Sequence, residues 1–314
     1  MTSPPLGPGR EFDLVRDLLR RWGSIAQGIG GDCAVLDVPA GERLCVSTDS
    51  SIENVHFRAD WLTPREIGYR AAAAALSDLA AVGATPLAML VALSAPARWR
   101  ARLGELADGV GDAARLTGAL IVGGDTTASP ESLSLTVTVL GAAAAPTSRV
   151  GALPGDRLYV TGTLGGSLEA LRALEAGAVP PPEHRERFAH PTPRIAEGRW
   201  LAAHGVHAAI DISDGLVADL GHLAAASGVR LRVDLDLLPR APRVEARRAA
   251  ESGEEYELAV AAAALDVEAF RAATGTPLRE IGVVVAAGET GPGVEVYREG
   301  ARVDLPRGYD HFSS

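Results

Sequence analysis

No lysine occurs among the 314 residues, and all 30 basic side chains are arginine. That absence excludes the nucleotide-binding loop ending in Gly-Lys-Ser/Thr and the strand lysine of protein kinases, since both need an ammonium group on the phosphates. Any ATP handled here is held another way. Cysteine is scarce too: Cys33 and Cys45 are too few for a disulfide scaffold and fit a cytoplasmic setting. Long apolar runs are missing. The alanine stretch 71–75 is short and soon followed by Asp78, so neither a secretory segment nor a membrane span is expected. Excess positive charge is absent as well. The formal charge of -10 argues against nucleic acid or an anionic membrane surface as a partner, while leaving room for a small anion held through metal. No repeat of solenoid period interrupts the chain.

What is present is enough apolar material, 47% of residues, for two cores, and the length itself exceeds what one core comfortably supports. The Ala/Pro/Gly-rich segment 141–154 is weakly patterned, which sets the boundary near Val150 and divides the chain into 1–149 and 150–314. Both halves read as mixed α/β. In the first, residues 11–22 carry apolar positions at helical spacing, and 43–49 alternate as a strand that delivers Asp49 at its carboxyl end. Thr63, Pro64 and Glu66 open a helix with a capping box that continues to Gly83 and carries Asp78 near its end. A helix over 99–117 leads to a strand over 119–122 that stops at Gly123-Gly124-Asp125, and 133–140 alternates as a further strand. In the second half, strands are expected over 156–161, 208–211, 230–235 and 256–260. Helices are expected over 168–176, after Thr192-Pro193, over 214–227 and over 267–273, with closing strands.

The aspartates are the chemical signal. Asp32, Asp49, Asp78, Asp125, Asp211 and Asp214 stand in five short motifs at predicted strand ends, glycine turns or helix ends. Carboxylates gathered in a partly dry cleft repel one another unless a cation intervenes, and hard oxygen ligands select magnesium, calcium or manganese. The bland readings are turn or cap aspartates, and for Asp211 and Asp214 a cap on the following helix. Asp78 toward a helix C-terminus is disfavoured by the macrodipole and so wants a compensating cation. Cys33 lacks a sequence neighbour that would activate its thiol and reads as small buried packing.

Taken in order, the motifs resemble those of the thiamine-monophosphate kinases, within the superfamily of ATP-dependent aminoimidazole ribonucleotide synthetase. The carriers are Gly28 to Leu36, Ser47-Thr48-Asp49, Val55-His56-Phe57, Leu76-Ser77-Asp78 to Ala84 and Gly123 to Thr127. They continue with Gly155-Asp156, Asp211 to Leu216, Glu254 to Leu258 and Gly308 to Phe312. The resemblance implies a two-domain aminoimidazole ribonucleotide synthetase-like fold and a homodimer whose N-terminal sheets pair. It also implies transfer of the ATP γ-phosphoryl group to thiamine monophosphate, with several Mg2+ ions.

It further implies metal contacts from Asp32, Ser47, Thr48, Asp49, Asp78, Asp125, Asp211 and Asp214. ATP would meet Gly124, Asp125, Arg149 and Ser213, and thiamine monophosphate would meet His56, Glu254 and Tyr309. No general base is implied, because the acceptor phosphate is already an anionic nucleophile. Two departures stand out. Gly31 replaces a usual aspartate, and Glu255 replaces another, a longer side chain expected to alter substrate placement. The rival readings are another ATP-dependent enzyme of the superfamily, a binding module without turnover, and a metal-dependent phosphatase.

Overall fold

The computed structural model describes residues 10–29 and 33–304. Two compact units divide the chain: one holds the residues up to Leu79 together with Thr85–Ala144, the other Ala80–Ala84 and the chain from Ala145 onward.

In the first unit, α1 (Arg10–Trp22) is followed by β1 (Arg43–Ile52), α2 (Pro64–Ala81), β2 (Thr85–Ala95), α3 (Leu103–Thr117), β3 (Leu120–Ala128) and β4 (Ser134–Ala143). The four strands form one sheet in the order β1-β4-β2-β3, antiparallel except for the β2/β3 pair. The capping box forms as expected: the Thr63 N–H donates to Glu66 Oε2 at 2.7 Å, and the Glu66 N–H donates back to Thr63 Oγ1 at 3.3 Å. Beyond that first turn α2 is buried nearly all round, which its alanines 71–75 permit. Its contact with α3 is closer still. A methyl group at Gly68 would stand 2.0 Å from the Leu106 carbonyl oxygen, and one at Gly109 would stand 1.8 Å from that of Arg65. Leu135, Val137 and Val139 of β4 are wholly buried on one face of the sheet. Buried Glu53 closes the end of β1: its Oε2 accepts from the Leu133 N–H at 2.9 Å, Trp99 Nε1 at 3.1 Å and Arg98 at 2.7 Å.

Several boundaries differ from the sequence reading. β1 runs three residues past Asp49, so that residue is inside the strand rather than at its end. β3 continues through Gly123-Gly124-Asp125 instead of stopping there, because Gly124, at φ 151°, lies against the backbone of Val91 on β2. The helix expected from Trp99 begins as a 3-10 turn, Ala97–Arg102. Strand β2 was not anticipated.

The second unit contains β5 (Arg157–Thr161), α4 (Gly166–Glu175), α5 (Pro182–Ala189), α6 (Ile195–Ala203), β6 (Val206–Asp211), α7 (Leu216–Ser227) and β7 (Val229–Asp234). It continues with α8 (Ala246–Glu251), β8 (Leu258–Ala262), α9 (Val267–Thr274), β9 (Leu278–Ala286), β10 (Gly293–Arg298) and β11 (Ala301–Val303). Its seven strands are ordered β11-β10-β7-β9-β5-β8-β6, with β10/β7 the parallel pair. Strand alternation divides the core. Leu158, Val160, Ala208 and Ile210 join Leu216, Leu220 and Leu223 of α7, whereas Tyr159, Ala209 and Val260 join Leu201 of α6 and Phe270 of α9. The sheet is thus covered by helices on both faces, the mixed α/β class the pattern predicts. Among the described residues no helix is long and apolar enough to cross a membrane.

Candidate active site

In the first unit the antiparallel register sorts the candidates by face. Ser47 Oγ donates to Asp78 Oδ2 on α2 at 2.5 Å, and two-residue alternation puts Asp49 on that same helix-covered side of β1. Thr48 faces the other way, where its hydroxyl lies 3.0 Å from that of Thr138. Asp125 shares this exposed face: it pairs with Ala92, Ala92 with Thr136, and the Thr136 hydroxyl bonds Ser50 at 2.8 Å. Ser47, Asp49 and Asp78 therefore form one group, and Thr48 and Asp125 lie on the opposite face. Gly124 has a packing reason for its identity, since a methyl group there would stand 1.9 Å from the Val91 carbonyl oxygen. His56 sits in the turn after β1, where its Nδ1 accepts from the Ile52 N–H at 3.2 Å; in the neutral ring the proton is then on Nε2.

In the second unit two motifs 40 residues apart in sequence are fastened together. The strand β6 ends at Asp211, and the turn 212–215 leads into α7 with Gly215 at the N-cap, so neither Asp211 nor Asp214 occupies the capping position. The Glu254 N–H donates to the Ser213 carbonyl at 2.6 Å, the Tyr256 N–H to Ile212 at 2.8 Å, and the Ile212 N–H to Glu257 at 2.8 Å. Glu254 and Tyr256 reach this clasp with φ of 55° and 53°, in the left-handed region that non-glycine residues seldom occupy. Beneath the turn, buried Asp219 of α7 accepts from the N–H groups of Ser213 at 3.0 Å and Asp214 at 3.1 Å. Burial first, then repulsion from Asp211 and Asp214, pushes the Asp219 carboxyl up to about 8. Asp219 escaped the sequence reading. Its signal is an aspartate in the first turn of a helix that follows an aspartate-bearing turn.

Glu255 is placed otherwise than its expected effect on substrate suggests. Its side chain is wholly buried, and Oε1 accepts from the N–H groups of Gly165 at 2.7 Å and Ser167 at 3.2 Å at the start of α4 and from Ser252 Oγ at 2.5 Å. Arg187 Nε donates to its other oxygen at 3.1 Å. The extra methylene is thus used inside the fold, on a helix N-terminus. Glu257, also fully buried, accepts from Arg187 and Arg194 at 2.6 Å each and from Thr161 Oγ1 at 2.6 Å.

Arg149 has an exposed side chain on a pinned backbone: Ser227 Oγ donates to its carbonyl at 2.9 Å and accepts from the N–H groups of Gly151 and Ala152 at 3.2 Å. Ser227 ends α7 and Ser213 precedes it, so these two ATP candidates lie at opposite ends of a 12-residue helix, about 18 Å long. Asp32 and Tyr309 lie outside the described residues, and so does Gly31. Among the described residues no three His, Cys, Asp or Glu side chains converge closely enough to hold a metal ion. Cys33 is exposed rather than buried, because the chain over 33–39 forms no regular element to pack it.

Similarity to known proteins follows the same residues. The N-terminal domain of AIR synthase related proteins matches residues 30–143, and their C-terminal domain matches 154–295. A thiamine-monophosphate kinase of Escherichia coli K12 is 37% identical over 322 aligned positions that cover 97% of each chain. The chain belongs to the thiamine-monophosphate kinase family. Among solved structures, the thiamine-monophosphate kinase of Stenotrophomonas maltophilia K279a superposes with a TM-score of 0.80 at 36% identity, covering 94% of this chain and 98% of its own. AaThiL complexed with AMPPCP and TMP superposes with a TM-score of 0.76 at 28% identity over 96% of both chains.

Proposed function

We propose that this chain transfers the γ-phosphoryl group of ATP to thiamine monophosphate, giving thiamine diphosphate and ADP. Full-length identity to thiamine-monophosphate kinases supports the reaction, and AaThiL, a structural neighbour, is complexed with an ATP analogue and TMP. The observation in the molecule that carries the reading is the fastening of the 211–214 turn to the 254–257 loop. A nucleotide-side motif and an acceptor-side motif are thereby held in fixed relation.

Magnesium is the ion that oxygen donors of this chemistry suit. Asp211 and Asp214 both repel the buried Asp219 at the start of α7, and a cation held by the first two would relieve that repulsion. Asp32, Ser47, Thr48, Asp49, Asp78, Asp125, Asp211 and Asp214 are the proposed ligands. Bound there, Mg2+ would neutralise the phosphate charge that in-line transfer concentrates. The protein's own contribution is positioning. Ser213, Gly124 and Arg149 meet ATP, and Arg149 offers a planar cationic fork on a pinned backbone. His56 and Glu254 take thiamine monophosphate, Glu254 facing its cationic rings, and Tyr309 stacks on them. No side chain need act as general base, because the acceptor is an ionised phosphate.

Residues 1–149 serve as the ATP, metal and dimerisation half, and 150–314 complete the site. A homodimer is supported by β1, an edge strand with Leu44 and Val46 about half exposed. Two free cysteines support a cytoplasmic location, and no nucleic acid or membrane is needed.

The test follows ADP and thiamine diphosphate by chromatography with MgATP and thiamine monophosphate, free thiamine or no acceptor, alongside Asp49→Asn. Thiamine diphosphate is expected only from the monophosphate and is lost in the variant. ADP without thiamine diphosphate, or no turnover at all, overturns the assignment.

A further inference from the structure

Four groups in the second unit meet at the start of α7: the Ser213 and Asp214 N–H groups, the carboxylate of Asp219, and the 254–256 backbone clasped to the Ile212 and Ser213 carbonyls. A single oxygen, Oδ2 of Asp219, accepts both N–H bonds, at 3.0 and 3.1 Å, and the side chain is only 2% exposed. Without that oxygen two backbone donors next to Asp214 would lose their partner in a partly buried turn, and the turn would rotate to find another. The N-cap, Gly215, has no side chain to take over the task. Rotation would carry the Ser213 carbonyl with it, and the Glu254 N–H bonded to that carbonyl at 2.6 Å would follow.

We propose that Asp219 is a positioning residue for phosphoryl transfer: it fixes the backbone of Ser213 and Asp214, and through their carbonyl side the Glu254 loop, without itself touching substrate. The proposal rests on the kinase reading for its catalytic consequence. Its structural half, that one carboxylate oxygen sets the turn, stands on the hydrogen bonds alone.

Geometry separates this role from its competitors. An asparagine presents an oxygen at the same reach and can accept both N–H groups, whereas a glutamate keeps the charge but moves the oxygen outward by a methylene. Positioning therefore predicts that Asp219→Asn keeps kcat within about threefold of wild type. Asp219→Glu and Asp219→Ala lose about 10- to 100-fold in kcat at saturating MgATP and thiamine monophosphate, since displacement on the ångström scale costs that much. A metal ligand would behave in reverse, with Asp219→Glu active and Asp219→Asn dead and demanding more Mg2+. A residue that only stabilises the fold would lower the melting temperature of all three variants and leave kcat near wild type below it. Either pattern overturns the proposal.

Amide hydrogen exchange supplies the second readout, independent of turnover. The Ser213 and Asp214 N–H groups should be protected in wild type and Asp219→Asn and exchange at least about tenfold faster in Asp219→Glu. Equal protection in all of them refutes the structural half. If wild-type protein makes no thiamine diphosphate, the kinase reading fails, and the exchange comparison still decides whether Asp219 holds the turn. Asp219→Glu, which retains a buried carboxylate, keeps the comparison available should the alanine variant not fold.

Discussion

Replacing Glu257 with glutamine takes one negative charge from between two arginines in the second unit and is expected to cost about 3 kcal/mol. The side chain has no exposed surface, and Arg187, Arg194 and Thr161 all donate to it at 2.6 Å. Removing one partner from a buried ion pair costs roughly 3–5 kcal/mol. The lower end applies because each arginine keeps a second carboxylate: Arg187 has Glu255 at 3.1 Å, and Arg194 has Glu197 at 3.3 Å. For a unit of this size the loss corresponds to a fall in melting temperature of about 6–12 °C.

The pH dependence has a definite sign. Burial raises the Glu257 carboxyl, but Arg187 and Arg194 outweigh it and hold the group below the ordinary glutamate value of 4.5. A depressed carboxyl contributes stability that is complete above the unfolded value and lost as pH falls through the folded one. The gap between wild type and Glu257→Gln should therefore be widest near neutrality and close in acid. Urea denaturation followed by circular dichroism at pH 7 and at pH near 4 measures it. A difference below about 1 kcal/mol at neutral pH, or one that grows on acidification, refutes the reasoning.

Three further outcomes are expected. Gly124→Ala forces a methyl group into the Val91 backbone at a positive φ and should destabilise the first unit by at least about 2 kcal/mol, seen as a lower urea midpoint; an unchanged midpoint would mean β3 shifts freely against β2. Glu255→Asp shortens the reach to the Gly165 and Ser167 N–H groups. It should lower stability by about 1–2 kcal/mol, and higher stability would contradict the helix-terminus role. Glu53→Ala leaves the buried Leu133 N–H and the Trp99 indole without their acceptor and should cost about 2–3 kcal/mol by thermal denaturation, with a loss under 1 kcal/mol counting against it.

Local chemistry was readable in the sequence and distant pairing was not. The capping box of Thr63 and Glu66 lies within one turn of chain, and the alternation of β4 follows from one buried face, so both were legible. β2 was not. Thr85 to Ala95 has no clean two-residue alternation, carries Pro86 and three alanines, and so lacks the usual strand signature. α5 hid behind Pro180 to Pro182 because proline at the first helical position looks the same as proline in a loop. Among the site residues, the aspartate motifs were visible as short strings. Their sorting onto two faces of the first sheet depends on β1/β4 register, and the role of Glu255 depends on N–H groups about 90 residues away. Asp219 was missed for a similar reason: an acidic residue in a helix's first turn is common, and only folding brings its oxygen under Ser213 and Asp214.

The crossing of α2 over α3 sets a limit on how this molecule can diverge. At positions 68 and 109 only a hydrogen atom fits between the two backbones, and about 15 Å further along α2 the same helix presents Asp78 to Ser47. The height of that carboxylate above the sheet is thus gauged by two missing methyl groups. Saturation mutagenesis at these positions would return glycine alone. A bulkier residue at either crossing would lift the helix and misplace Asp78, a proposed ligand, with every proposed site residue intact. A homologue could therefore lose its chemistry through a spacer that touches no ligand.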